Sequence, residues 1–137
     1  MELGLKNKNV LIVGASKGIG KGIVMGFAEE GCRLVIVARS EDLLREVQTE
    51  ALSRGAASCD YVVQDIMECD TQKFADSLMD RFGVFDVVVH NVGGSLISRN
   101  HLGGADDWNY ALKFNAIAAI DMNSRLIPPM VERGYGR

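Results

Sequence analysis

Short apolar runs alternate with amphipathic stretches along the 137 residues of this chain. Runs rich in Val, Ile and Leu predict four strands, at residues 9–13, 33–38, 58–64 and 85–90. Between them, apolar residues at helical spacing predict three helices: 19–30, a helix that Ser40 can cap and that ends before Gly55, and 71–82. Strands that alternate with helices in this way are typical of βαβ units and a parallel sheet.

A glycine-bearing loop at 91–104 is predicted to lead into a fourth, long helix at about 106–132. Pro128 and Pro129 are expected to kink or interrupt that helix, and two later glycines are expected to stop it. Right-handed crossovers then predict an α/β fold, a three-layer, doubly wound parallel sheet of the Rossmann type with strand order 3-2-1-4. The ligand crevice is expected at the carboxyl ends of strands 1 and 4.

Composition excludes several function classes. The net charge of −3 and a sequence pI of about 5.3 argue against a nucleic-acid partner, which would require a basic face. The sequence has neither an apolar run of membrane-spanning length nor a secretory leader, so we expect a cytoplasmic protein with no membrane partner. Its three cysteines lack metal or redox spacing, which predicts reduced thiols and no metal site.

The most informative segment is GASKGIG, which spans residues 14–20 between the first strand and the first helix. Glycines there permit a tight turn and a close approach of the backbone to a pyrophosphate. The start of the helix offers unpaired N–H groups and a partial positive charge to an anion. This context predicts a nucleotide-phosphate site, although a tight turn without a ligand is an alternative interpretation.

The glycine spacing is GxxxGxG, and it resembles the TGxxxGIG pattern of the short-chain dehydrogenase/reductase family. Val13 stands where that family usually has Thr. Ile19 and the three glycines match the pattern. The resemblance implies a cofactor-binding turn formed by Gly14, Ser16, Lys17, Gly18, Ile19 and Gly20.

The second strand indicates which nucleotide is preferred. A carboxylate at its end would bind the adenosine ribose and repel a 2′-phosphate, but Ala38, Arg39 and Ser40 stand there. Arg39 can present a charged fork to a phosphate, and Lys17 adds a second cation. In the family, basic residues at these positions accompany NADP, so NADP is predicted and NAD is less favoured. Solvated surface cations are the alternative interpretation.

The resemblance extends along the rest of the chain. Asp65 and Ile66 follow the third strand, where the family binds adenine. The segment DVVVHNVG resembles the family's DxLVNNAG, which implies that Asn91, Val92 and Gly93 lie along the cofactor. His90 replaces an Asn there, and it is expected to be a hydrogen-bonded core residue.

Downstream of the only tryptophan, Asn115 matches the family's active-site Asn, which holds a water for proton relay. The resemblance implies hydride transfer between nicotinamide and an alcohol or carbonyl substrate. The family's catalytic Ser, Tyr and Lys follow a fifth strand, and residues 1–137 contain no counterpart. Tyr110 and Lys113 are spaced YxxK, one residue short of the family motif, so catalysis is not assigned to them.

We therefore expect residues 1–137 to be the N-terminal, cofactor-binding part of a longer domain, inactive by itself. The fourth strand is expected to have an open apolar edge, and the chain to form a homo-oligomer, a dimer or tetramer. One alternative is a nucleotide-binding module without a redox role. An epimerase-like relative on the same fold is less favoured, because such relatives usually have GxxGxxG spacing.

Overall fold

The computed structural model describes residues 3–94 and 103–137, and there its elements follow the predicted order. The strands are β1 (Asn9–Val13), β2 (Arg33–Ala38), β3 (Ser58–Val63) and β4 (Val87–His90). The helices are α1 (Gly18–Glu29), α2 (Glu41–Ser53), α3 (Thr71–Phe82), α4 (Ala105–Leu112) and α5 (Ala118–Arg133). Part of the loop predicted at 91–104, including Ser95, lies outside the described residues.

The four strands form one parallel sheet in the order β3-β2-β1-β4, which confirms the predicted topology. Leu11 at the centre of β1 is in register with Val35 of β2 on one side and Val88 of β4 on the other. Because β1 and β4 are neighbours without being consecutive, the chain reverses its winding direction between them. Their carboxyl ends therefore open the crevice in which such sheets bind ligands.

Helices cover both faces of the sheet, so β1 is buried on both sides. Val10 and Ile12 pack against α1 and α2, whereas Leu11 and Val13 pack against α3 and α5. All four are at most 1% exposed. Full burial of such a side chain stabilises the fold by about 1.5–3 kcal/mol, so this strand is a strong anchor for the turn that follows it.

The expectation that Pro128 and Pro129 could interrupt the long helix was wrong. Both prolines lie inside α5, which continues to Arg133. Their missing N–H groups affect the carbonyls of Ser124 and Arg125, and these residues are exposed, so water can satisfy them. The irregularity lies earlier, where Lys113–Ile117 forms a π-helical segment between α4 and α5.

The predicted role of Ser40 is only half correct. Ser40 occupies the N-cap position of α2, but its side chain forms no capping hydrogen bond. Asp70 does cap α3, because its carboxylate accepts a hydrogen bond of 3.0 Å from the N–H of Lys73. The hydroxyl of Ser40 thus forms no hydrogen bond with the first turn of α2.

The edge of β4 is partly covered by the end of the chain. Gly134, at a φ of +74°, terminates α5 and turns the backbone towards the sheet. Arg137 then donates to the carbonyl of Asp86 at 3.0 Å and accepts from the N–H of Val88 at 2.9 Å. Within the described part of the chain, none of the helices combines the length and the apolar character that crossing a bilayer requires.

Candidate functional site

A cavity of about 540 Å³ lies at the carboxyl ends of the strands. It is lined by Val13, Gly14, Ser16, Lys17, Val37, Ala38, Arg39, Ser40, Leu43, Gln64, Asp65, Ile66, Asn91, Val92, Gly93 and Phe114. These residues come from the carboxyl ends of β1 and β2, from the loops after all four strands, from α2 and from the π-helical segment. The crevice predicted from the strand order is therefore present.

The glycine turn needs its glycines for two physical reasons. Gly14 and Gly18 have φ angles of +88° and +56°, which side chains rarely adopt. A Cβ on Gly14 would also lie 2.7 Å from the backbone oxygen of Asn91. A Cβ on Gly20 would overlap the carbonyl of Gly14, so the turn can close only if residue 20 is glycine.

Neighbouring strands hold this turn in place. The N–H groups of Gly14 and Ala15 both donate to the carbonyl of Val37, at 2.9 and 3.2 Å. From the other side, the N–H of Asn91 donates to the carbonyl of Val13 at 2.8 Å. Backbone hydrogen bonds thus connect β2, β1 and β4 at the floor of the cavity, and they form without a ligand.

The two cations predicted to bind phosphate line the same cavity. Lys17 is the N-cap residue of α1, and Arg39 follows the last residue of β2. Both are exposed, and within residues 3–94 and 103–137 neither side chain forms a salt bridge or a hydrogen bond. In contrast, Arg45 and Arg54 are held by carboxylates. The charges of Lys17 and Arg39 are therefore available to an anion.

Asp65 and Ile66 form the wall beyond β3. One carboxylate oxygen of Asp65 accepts from the N–H of Met67 at 2.9 Å, which makes Asp65 a turn residue as well as a lining residue. Ile66 is only 6% exposed and packs in the core on the α3 and α5 side. This packing holds the loop after β3 against the sheet.

Asn115 is tied to the loop after β4. Its Oδ1 accepts from the N–H of Gly94 at 2.8 Å, and its Nδ2 donates to the carbonyls of Gly94 and Ala111, both at 2.9 Å. A Cβ on Gly93 would lie 2.8 Å from the same Oδ1. Both amide hydrogens of Asn115 are thus engaged with backbone, so its side chain fixes the path of the loop.

Not every predicted site residue lines the cavity. Gly18, Ile19, Gly20 and Asn115 are outside its lining, although the first three belong to the turn that forms one wall. Ile19 is 77% exposed at the start of α1. His90 is also outside the lining. Its Nε2 lies 2.8 Å from Oδ1 of Asn123, so the expected hydrogen bond is present, but the residue is half-buried and is not part of the buried core.

Several lining residues were missed. Leu43 has the spacing of a core residue of α2, which concealed its exposure to the cavity. Gln64 is directly after β3, and this position at the carboxyl end of a strand could have identified it as a lining residue. Phe114 precedes Asn115 in the π-helical segment, which no sequence feature predicted.

Two buried cysteines, Cys32 and Cys59, lie outside the lining of the cavity. Burial raises the pKa of the Cys59 thiol to about 12 and that of Cys32 to about 11, so both stay protonated at neutral pH. Among the described residues, no group of three or more His, Cys, Asp or Glu is arranged to hold a metal ion. The polar groups that line the cavity include backbone amides, two hydroxyls, two cations, the Asp65 carboxylate and the side-chain amides of Gln64 and Asn91.

A sheet of this order, with a glycine turn at its switch point, defines a Rossmann-type fold. A sequence profile of the short chain dehydrogenase family matches residues 8–137. This chain therefore belongs to the short-chain dehydrogenase family, whose members are oxidoreductases.

Individual relatives support this assignment. A hydroxysteroid 11-beta-dehydrogenase 1-like protein A from Xenopus laevis is 30% identical over 93% of this chain and 45% of its own length. A CLA biosynthesis dehydrogenase/reductase from Lactiplantibacillus plantarum is 27% identical over the same shares. The crystal structure of L-sorbose reductase from Gluconobacter frateurii, complexed with NADPH and L-sorbose, is 29% identical with a TM-score of 0.88, over 99% of this chain and 52% of the reductase.

The fold is shared with more distant proteins as well. An NADH-dependent reductase complexed with NAD is 20% identical, with a TM-score of 0.85 over 99% of this chain and 59% of the reductase. The chain spans about half the length of the curated relatives it matches.

Proposed function

We propose that this chain binds NADP in preference to NAD, as the cofactor-binding portion of an oxidoreductase that moves hydride between nicotinamide and an alcohol or carbonyl carbon. One observation carries the proposal: Lys17 and Arg39 line the same cavity, and neither side chain forms a salt bridge or a hydrogen bond with another described residue. No carboxylate ends β2 to oppose a 2′-phosphate. Support also comes from the NADPH held by L-sorbose reductase.

The size and the donor set of the cavity support the binding of a dinucleotide. Its volume of about 540 Å³ is within the usual range of small-molecule sites. The turn from Gly14 to Gly20 would hold the diphosphate against the N-terminus of α1. Arg39 would bind the 2′-phosphate through its guanidinium fork, with Lys17 beside it. Asp65 and Ile66 would contact adenine, and Asn91 to Gly93 would lie along the ribose and nicotinamide.

A bound nicotinamide ring would supply or accept the hydride. For Asn115, we propose a positioning role, because its amide fixes the loop at Gly94. Tyr110 and Lys113 are otherwise engaged: Tyr110 stacks on Phe114, and Lys113 donates to the carbonyl of Met67 at 3.4 Å. We therefore propose that residues 1–137 bind cofactor without turning over substrate.

Arg39→Asp tests the cofactor preference by calorimetric titration of the 137-residue chain with NADP⁺ and NAD⁺. Reversal of this charge is expected to weaken NADP⁺ binding by at least about 1 kcal/mol and to affect NAD⁺ much less. Arg33→Asp is the matched control, because Arg33 is exposed at the opposite end of the same strand. Equal NADP⁺ affinity in the Arg39 variant and the parent would contradict the proposal.

We also propose a homo-oligomer built on the long helix, in a cytoplasmic protein. Several large apolar side chains of the segment from α4 to α5 are exposed: Trp108, Leu112, Ile117, Ile120, Ile127 and Val131. Large exposed apolar side chains that recur along one helical segment support an association surface. Light scattering that shows only monomer at high protein concentration would contradict the oligomer.

A further inference from the structure

The carboxylate nearest in sequence to the proposed 2′-phosphate site is Glu41, and two neighbouring side chains hold it. Arg45 donates from Nη2 to Oε1 of Glu41 at 2.9 Å, and the hydroxyl of Tyr61 donates to the same oxygen at 3.1 Å. Arg45 Nε also donates to the Tyr61 hydroxyl at 3.3 Å. These three residues close a triangle, which we call the Glu41 clamp.

The clamped carboxylate is not among the groups that line the cavity. Arg39, Ser40 and Leu43 line the cavity, but Glu41, which lies between them in sequence, does not. The triangle bridges two elements, because Tyr61 is in β3 whereas Glu41 and Arg45 are one turn apart in α2. The direction of the Glu41 side chain is therefore set by a contact from the sheet as well as by a contact within the helix.

An unclamped Glu41 would work against phosphate binding in two ways. Its charge would repel a 2′-phosphate, and this repulsion acts within a Debye length of about 8 Å at physiological salt. It would also be free to pair with Arg39, which has no salt-bridge partner among the described residues. Either effect lowers the affinity for a ligand that carries the phosphate and leaves a ligand without it nearly unaffected.

We propose that Arg45 and Tyr61 are positioning residues that sustain NADP selectivity by holding the Glu41 carboxylate away from Arg39 and the ribose phosphate. This inference rests on the proposed function, and it adds a specificity device outside the cavity lining. Arg45 acts through Glu41 and not by attracting the phosphate itself. That distinction can be measured.

The experiment is a double-mutant cycle on the 137-residue chain, with calorimetric titration of 2′,5′-ADP and 5′-AMP. These probes differ only in the 2′-phosphate. Arg45→Met is expected to weaken 2′,5′-ADP binding about two- to fivefold, the range for one exposed charge pair, and to leave 5′-AMP binding unchanged. In a Glu41→Gln background, Arg45→Met is expected to have no effect. Tyr61→Phe, which keeps the ring in place, is expected to act in the same direction with a smaller change.

A matched control exists at the other end of the same helix. Arg54, the C-cap residue of α2, bonds Glu50 with the same i,i+4 spacing and the same 2.9 Å distance, but this pair lies at the end of the helix opposite to Ser40 and Leu43, which line the cavity. Arg54→Met is therefore expected to leave the affinity for both probes unchanged. Raising the salt concentration should shrink the effect of Arg45→Met, because the repulsion is screened.

The outcomes separate the two proposals. If the unsubstituted chain binds 2′,5′-ADP no better than 5′-AMP, the proposed NADP preference fails. If it prefers 2′,5′-ADP, and Arg45→Met weakens that probe equally with Glu41 or Gln at position 41, Arg45 attracts the phosphate directly and the clamp is overturned. An Arg45→Met variant with parental affinity also overturns the clamp.

Discussion

Asn91, directly after β4, donates a hydrogen bond of 3.1 Å from its side-chain nitrogen to the carbonyl oxygen of Gly14. Its backbone N–H donates to Val13 at 2.8 Å. One residue therefore connects the end of β4 to the first glycine of the turn, at the point where the sheet opens into the cavity. The separation of the two loops does not depend on a ligand.

Asn91→Ala is expected to lower the free energy of unfolding by about 1 kcal/mol, because one partly buried hydrogen bond is lost. Nucleotide affinity should also fall, since the turn loses its support from β4. Urea denaturation and calorimetric titration measure the two effects. Asn109→Ala, on the exposed surface of α4, is the control and should change neither quantity. A parental affinity in the Asn91 variant would show that the turn holds its shape alone.

Two glycine-to-alanine substitutions should change stability in opposite directions. Gly14→Ala combines a φ of +88° with a Cβ at 2.7 Å from a backbone oxygen, so a loss of more than about 2 kcal/mol is expected. Gly26 lies inside α1, and a Cβ there would meet open space, so Gly26→Ala should stabilise by about 0.5–1 kcal/mol. Thermal denaturation that moves both melting temperatures in one direction would contradict this explanation of the turn.

Asp121 joins α5 to the start of α3. Its carboxylate accepts from the hydroxyl of Thr71, which is 5% exposed, and from Nε2 of Gln72 at 2.9 Å. Asp121→Ala leaves the Thr71 hydroxyl buried without this partner, so a loss of about 1–3 kcal/mol is expected. Asp80→Ala, at an exposed position of α3, should stay within about 0.5 kcal/mol of the parent in the same urea titration.

Stability should decrease at alkaline pH because of two buried thiols. Burial raises the pKa of Cys59 to about 12 and that of Cys32 to about 11, whereas a thiol in the unfolded chain has a pKa of about 8.5. Above that pH the unfolded chain releases protons that the folded chain retains, so the unfolded state is favoured as pH rises. Unfolding free energies at pH 8, 9 and 10 measure the slope. Cys59→Ala should make the decrease of the unfolding free energy with pH shallower. An unchanged slope would contradict the attribution of this decrease to the buried thiols.

The clearest sequence signals were local, and they predicted the fold accurately. Each strand is a short apolar run, and the order β3-β2-β1-β4 follows from right-handed crossovers between them. The bounds shifted slightly, as in β4, which begins at Val87 and not at residue 85. Phe85 is apolar like the strand residues, but it is buried in the core just before the strand begins. Composition alone cannot separate these two uses of an apolar residue.

The sequence by itself determined the alternation of elements, the sheet order and the glycine turn, because these follow from backbone preferences and periodicity over neighbouring residues. Only the tertiary structure decided that Asn115 would hold Gly94, that Tyr61 would reach Glu41, and that a helix would continue through Pro128 and Pro129. The two side-chain contacts join residues about twenty positions apart, and the helix depends on solvent access to particular carbonyls. Such features arise from distances in space, which a local pattern does not encode.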